Sequence, residues 1–221
     1  RDDAPAIGKP GRQTMTHGGL RALVQLTVGV LNQLGIGRND RVAIVLPNGP
    51  EMATSLLAVA SDATPAPLNP GYRREEFEFS LSDLHARALV ILRGMESPAR
   101  EVAAAHNIPV IELVPDAVAA GAFTLVPEQP LAGTAAHPGP AEAQDVALVL
   151  HTSGTTSRPK IVPLRHINVT ASAYHIGETL ALTPADTCLN IMPLFHIHGL
   201  IAAVLSSMAA GASVVCTPGF N

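Results

Sequence analysis

Short apolar runs alternate with stretches of helical periodicity along most of this chain, and that alternation restricts its fold more than any other feature. Residues 41–46 (RVAIVL) lie between polar Asn39-Asp40 and the turn Pro47-Asn48-Gly49-Pro50, as a buried strand that ends in a turn does. Upstream, Leu20, Leu23, Val24, Val28, Leu31 and Leu34 recur at helical spacing, and Gly35 and Gly37 supply the stop. Downstream the pattern predicts a helix over 51–60, an extended piece over 65–68, a helix over 74–84, a strand over 88–92, a helix over 97–106 and a strand over 109–113. Residues 114–144 are rich in Pro, Gly and Ala and hold one candidate strand at 123–126, so they read as a seam between two sub-lobes, 1–144 and 145–221. Beyond it, 146–150 reads as a buried parallel strand, 164–182 as a long helix, 187–192 as a strand, 199–210 as a helix and 212–217 as a strand.

Composition agrees with this order. The chain is 47% hydrophobic but only 3% aromatic, which suits aliphatic strands covered by Ala- and Leu-rich helices. The expected fold class is α/β, with mixed, mainly parallel sheets flanked by helices on both faces. A net charge of −4, with no stripe of Lys and Arg, argues against nucleic acid and anionic membrane as partners. The longest apolar run, 200–215, is interrupted by Ser206, Ser207 and Gly211 and is too short for an integral membrane segment. Cys188 and Cys216 lack CxxC spacing, which favours a reducing, cytoplasmic-type compartment over a disulfide framework. The chain opens on Arg and stops directly after a strand-like run, so it reads as a segment of a longer protein.

Residues 151–160 (HTSGTTSRPK) concentrate donors in one short loop. Thr152, Ser153, Thr155, Thr156 and Ser157 supply hydroxyls, Arg158 and Lys160 supply cations, and Gly154 permits a backbone that turns N–H groups toward an anion. The loop is expected to hold polyphosphate between the 146–150 strand and the following helix. It is not a Walker A site, since Pro159 precedes Lys160 and Ile161 follows it. His151 adjoins the loop and is placed to orient it.

A second constellation, 193–200 (PLFHIHGL), lies between a strand and a helix. His196 and His198 fall where a strand-to-helix loop presents side chains at the carboxyl edge of a sheet. A His-x-His pair can also bind metal, but no carboxylate or Cys lies nearby in sequence to complete such a site, so no metal ligand is assigned. For His198, simple packing in the loop is an equal alternative. The chain has no G-x-S-x-G elbow, which disfavours serine hydrolase chemistry.

Taken together, four segments in order resemble the adenylate-forming superfamily of acyl-CoA synthetases, luciferases and peptide-synthetase adenylation domains. They are 37–51 (GRNDRVAIVLPNGPE), 66–83 (APLNPGYRREEFEFSLSD), 151–160 and 189–215 (LNIMPLFHIHGLIAAVLSSMAAGASVV). The SRPK ending, the PLFHIHGL segment and the EFEFSLSD run are most similar to the oxalate–CoA ligase group. The resemblance implies a two-step ligase in which a carboxylate attacks the α-phosphate of Mg2+-bound ATP, and the thiol of coenzyme A then displaces AMP. By the same resemblance Thr152, Ser153, Gly154, Thr155, Thr156, Ser157 and Lys160 contact the ATP phosphates. His196 is the catalytic candidate beside the acyl group and α-phosphate, with His198 and Gly199 in the substrate pocket.

Ser157 matches the oxalate group, whereas Ile161 stands where the superfamily has Gly, and Asp62 falls at a helix end expected to be packed. The superfamily's adenine-binding segment, acidic Mg2+ ligand and mobile C-terminal domain are expected downstream, as is any peroxisomal signal, so the 221 residues alone are expected to be inactive. A non-catalytic nucleotide- or acyl-binding module, or an adenylation domain of another type, remains the alternative.

Overall fold

The computed structural model describes residues 1–131, 133–152 and 159–219. In chain order the elements are β1 (Pro5–Gly8), β2 (Met15–Thr16), α1 (His17–Gln33), β3 (Arg41–Val45), α2 (Pro50–Ala60), β4 (Thr64–Pro67), α3 (Arg74–Leu84), β5 (Ala88–Leu92), α4 (Pro98–Ala105), β6 (Val110–Pro115) and β7 (Phe123–Pro127). Then follow β8 (Val146–Thr152), β9 (Lys160–Arg165), α5 (His166–Thr179), β10 (Thr187–Asn190), a π-helix (His198–Leu205), α6 (Ser206–Ala209) and β11 (Ser213–Cys216).

The described strands form three sheets, ordered β4-β3-β5-β6-β7, β10-β11-β1-β2 and β8-β9. Pairing is parallel within β4-β3-β5-β6 and β10-β11-β1, and antiparallel for β6-β7, β1-β2 and β8-β9. The fold is thus α/β with mixed sheets, as its alternation predicts. Strands from both sides of residue 144 share the sheet in which β1 pairs with β11.

Side-chain alternation along the central strands explains why helices cover both faces. Val42, Ile44, Ala88 and Val90 join one core with Leu20, Leu23 and Leu31 of α1 and with Met52 and Leu56 of α2. Ala43, Val45, Leu89 and Ile91 join a second core with Phe77, Leu81 and Leu84 of α3 and Val102 of α4. A period-two strand apolar at every position can satisfy both only inside a three-layer stack. Caps fall where the sequence supplies them: Thr16 Oγ1 accepts from Gly19 N–H at 3.1 Å to start α1, and Ser97 Oγ accepts from Ala99 N–H at 3.2 Å to start α4. Gly35, with φ of 76°, ends α1 in the left-handed region, as its position predicts. None of the described helices is long and apolar enough to cross a membrane.

Two expectations fail around β8. Val146–Thr152 is buried over residues 147–150 but pairs antiparallel with β9, not as a parallel strand. Residues 160–165 are that partner strand, so the long helix starts at His166 and the 151–160 loop joins two strands of a hairpin. Pro163, opposite Val149, disguised the strand; it is tolerated because β9 is an edge, with no further neighbour among the described strands to receive an N–H. The helix expected over 199–210 is also altered, its first turns being π-helical. Residues 199–205 carry no polar side chain, so no period separates a π-helix from an α-helix there.

Asp62 is fully buried, and both its oxygens accept from Asn32 Nδ2, at 2.8 and 2.9 Å. Asn32 also donates to Ile36 O and accepts from Gly139 N–H, so the acid secures the end of α1 against the loop after α2. Burial outweighs these bonds and the nearby Asp40 adds repulsion, raising the carboxyl to about 6 from 3.8. A raised acid stabilises the fold most below its unfolded value and loses that contribution as pH climbs through the folded one. Between pH 4 and pH 7 urea unfolding is expected to show a loss on the order of 2–3 kcal/mol from this group, and Asp62→Asn is expected to flatten that slope. An equal slope in the variant would assign the pH dependence elsewhere.

Candidate functional site

The β8-β9 hairpin sets out the first group of predicted residues. Thr152 and Lys160 are register partners at its open end, and both are exposed. Ser153, Gly154, Thr155, Thr156 and Ser157, with Arg158, lie outside the described residues. His151 points to the other face of the strand, where its side chain is only 7% exposed. There its Nε2 lies 3.2 Å from Asp83 Oδ2, and its ring meets the edge of Phe79 at a centroid distance of 5.9 Å. Two segments 68 residues apart in sequence, the end of α3 and the approach to the hydroxyl-rich loop, are thereby joined. Ile161 opposes His151 across the ladder and packs on the second core, which gives its β-branched side chain a place that Gly would leave empty.

The second group lies at the carboxyl end of β10. Asn190 is buried, and its side chain closes a turn by bonding both the N–H and the carbonyl of Met192 at 3.2 Å. Its carbonyl accepts from the Thr217 N–H at 3.2 Å and the Thr217 hydroxyl at 3.1 Å, which locks β10 to the end of β11. Leu194 is fully buried, and its N–H reaches Asn48 Oδ1 at 2.9 Å. Gly199 is buried so close to the preceding turn that a Cβ would sit 2.7 Å from Pro193 O, a contact real side chains do not make. Between these anchors Phe195 stays half-buried, with the His196 ring 4.5 Å from its own at 53°, while His196 and His198 are exposed. Among the described residues neither imidazole has a hydrogen-bond partner, which leaves both nitrogens of each open to a ligand.

Burial disfavours the thiolate of both cysteines near this edge. Burial pushes Cys216 up to about 12, with help from the Glu51 carboxylate, and burial also raises Cys188. Burial lowers the His166 imidazole, whose Nε2 has no partner among the described residues. That histidine lines an apolar cavity of about 390 Å³ between α2, α5 and the π-helix, with Leu56, Val169, Tyr174, Val204 and Met208. None of the described predicted site residues lines it, so this hollow is not where the polar groups converge. Among the described residues no group of three or more His, Cys, Asp or Glu is placed to hold a metal.

The structure therefore gathers His196, His198 and Gly199 on one turn, and Thr152 with Lys160 at one hairpin mouth. Sequence reasoning missed Asn48, Asn190 and Asp83. Asn48 sits in a Pro-Asn-Gly-Pro turn, where Asn reads as turn chemistry alone. Asp83 ends a helix whose charged residues read as a solvated face.

Comparison with known proteins gives a consistent picture. The family described as AMP-binding enzyme matches residues 1–221. An oxalate–CoA ligase of Arabidopsis thaliana is 38% identical over 219 residues, covering 96% of this chain and 42% of the relative. An oxalate–CoA ligase of Saccharomyces cerevisiae is 37% identical over 210 residues, covering 83% of this chain and 38% of the relative. The crystal structure of ATP-bound MatB from Rhodopseudomonas palustris superposes with a TM-score of 0.82 at 26% identity, over 100% of this chain and 44% of that one. The chain thus spans about two fifths of the length of the curated relatives it matches.

Proposed function

This chain belongs to the AMP-binding enzyme family, and we propose that it forms part of an ATP-dependent acid–thiol ligase acting on oxalate or another small carboxylate. The observation that carries the reading is the similarity to oxalate–CoA ligases at 37–38% identity over most of this chain. The reaction would proceed in two transfers. A carboxylate oxygen attacks the α-phosphorus of ATP, the bond to the β-phosphate oxygen breaks and diphosphate leaves. The sulfur of coenzyme A then forms the thioester, AMP departs as the leaving group and the thiol proton passes to solvent.

What the chain supplies is positioning and charge. The donor set suits a polyphosphate: Lys160 and Thr152 stand exposed at the hairpin mouth, and the six residues between 152 and 159 carry four further hydroxyls and Arg158. In this reading Ser153, Gly154, Thr155, Thr156 and Ser157 line the phosphates, and Lys160 neutralises the charge that develops as diphosphate leaves. His196 donates a hydrogen bond to the acyl carboxylate or the α-phosphate, and His198 serves the distal carboxylate of a dicarboxylic acid. Mg2+ would accompany ATP as its counter-ion, and no described residue is given a role toward Mg2+ or coenzyme A.

The reading is tested by carboxylate-dependent exchange of labelled diphosphate into ATP, followed by thioester formation, using the complete polypeptide that contains residues 1–221. Oxalate, malonate and medium-chain fatty acids distinguish the substrate class. Lys160→Ala is expected to slow exchange about 100-fold, the loss associated with removing one preorganised charged donor. Exchange that needs no carboxylate, or that supports no thioester with any acid, would defeat the ligase reading.

A further inference from the structure

The turn after β3 holds one side chain that ties three strand ends together. Asn48 Oδ1 accepts from Leu194 N–H at 2.9 Å, and Asn48 Nδ2 donates to Thr217 O at 2.9 Å. These partners lie 146 and 169 residues away, one just past β10 and one just past β11. We propose that Asn48 is the positioning residue of the histidine-bearing turn, registering His196 against the central sheet through its two-ended clamp on Leu194 and Thr217. Its kinetic consequences rest on the ligase reading above; its geometry does not.

A carbonyl and an N–H facing each other across a gap need a planar group with a donor at one end and an acceptor at the other, and a side-chain amide is that group. Aspartate would keep the acceptor for Leu194 but lose the donor and set a negative charge toward the Thr217 carbonyl. Alanine would leave both unserved, and the Leu194 N–H belongs to a fully buried residue with no ready access to water.

The other anchors of the turn are local. Asn190 holds Met192 from within β10, Pro193 O accepts from His196 N–H at 3.2 Å, and Gly199 packs on the Pro193 carbonyl. Among the described hydrogen bonds to residues 191–199, the one from Asn48 alone comes from the five-stranded sheet, through its attachment to β3. Without it the turn keeps its fastening to β10 and the burial of Leu194 in the first core, but loses its one described hydrogen bond to the turn after β3, and His196 is two residues from that point of attachment. Asn48 touches no reacting atom in this scheme and acts through the backbone it holds.

The test uses amide hydrogen exchange and kinetics of the complete polypeptide that contains residues 1–221. In Asn48→Ala the Leu194 amide is expected to exchange at least roughly tenfold faster, while β5 amides keep their wild-type rates; Asn48→Asp, which retains the acceptor, is expected to stay within about threefold of wild type at Leu194. In the kinetics, Asn48→Ala is expected to raise KM for the carboxylate about tenfold with KM for ATP within about twofold, and Asn48→Asp to fall between. An unchanged Leu194 rate in Asn48→Ala overturns the clamp. Loss of protection throughout β5, or equal losses for carboxylate and ATP, would make Asn48 a general scaffold residue and overturn the positioning role. Should the wild-type protein form no thioester from any acid, the ligase reading fails on its own, and Leu194 exchange still decides the clamp.

Discussion

Alanine at His196 is expected to lower kcat/KM for the carboxylate about 100-fold in the complete polypeptide, while KM for ATP stays within about twofold of wild type. The expectation follows from where the imidazole stands. It is exposed on a turn whose flanks are anchored at Met192, Leu194 and Gly199, so a ligand at the carboxyl edge of β10 meets a donor whose backbone is already placed. Preorganisation is what gives a hydrogen bond catalytic weight, because no ordering remains to be done as charge develops. His196→Gln, which keeps a donor on a flexible stem, is expected to recover part of the loss. Steady-state kinetics with oxalate and malonate would check this, and unchanged constants in His196→Ala would remove the residue from the mechanism.

The largest expected loss of stability comes from Phe77→Ala, at about 3–5 kcal/mol in urea unfolding. Phe77 is fully buried beneath the central sheet, among Leu81, Leu84, Leu89 and Ile91, and meets Tyr72 edge-on at 5.6 Å. In a chain with so few aromatic residues, neighbouring aliphatic side chains cannot easily collapse into the space one ring leaves. Phe79, two residues on, makes the useful contrast, since it is half-buried and its contact is the ring of His151. Phe79→Ala is expected to have less than half the effect of Phe77→Ala, and a reversal of that order would show that the β8–α3 contact carries more of the stability than the core does.

How much of this was visible beforehand varies by element. α1, α2, α3, α4, β3 and β5 were readable because they carry a strong period or explicit punctuation: Gly35, Pro50 and Ser97 mark ends whose physics is local. β9 was not readable, since Pro163 argues against a strand until an edge position excuses it. β1 and β2 were missed because they are short, and β1, which holds β2, pairs with β11 more than 190 residues away. In the candidate site His196, His198, Thr152 and Lys160 stood out by residue type and spacing alone. Asn48, Asn190 and Asp83 did not, because their partners are distant in sequence or belong to a backbone with no signature of its own.

The α/β class, most helices and central strands, the concentration of phosphate-type donors over residues 151–160 and the pair of histidines after a strand were all legible in the chain, since period, punctuation and residue chemistry are local properties. That the donor loop joins the strands of a hairpin, that Asp62 is a buried acid clamped by Asn32, and that Asn48 bonds both Leu194 and Thr217 emerged only from the packing of the fold. Those outcomes depend on which distant backbone groups are left without partners when the layers pack, and an unpaired N–H or carbonyl leaves no mark on the sequence that supplies it.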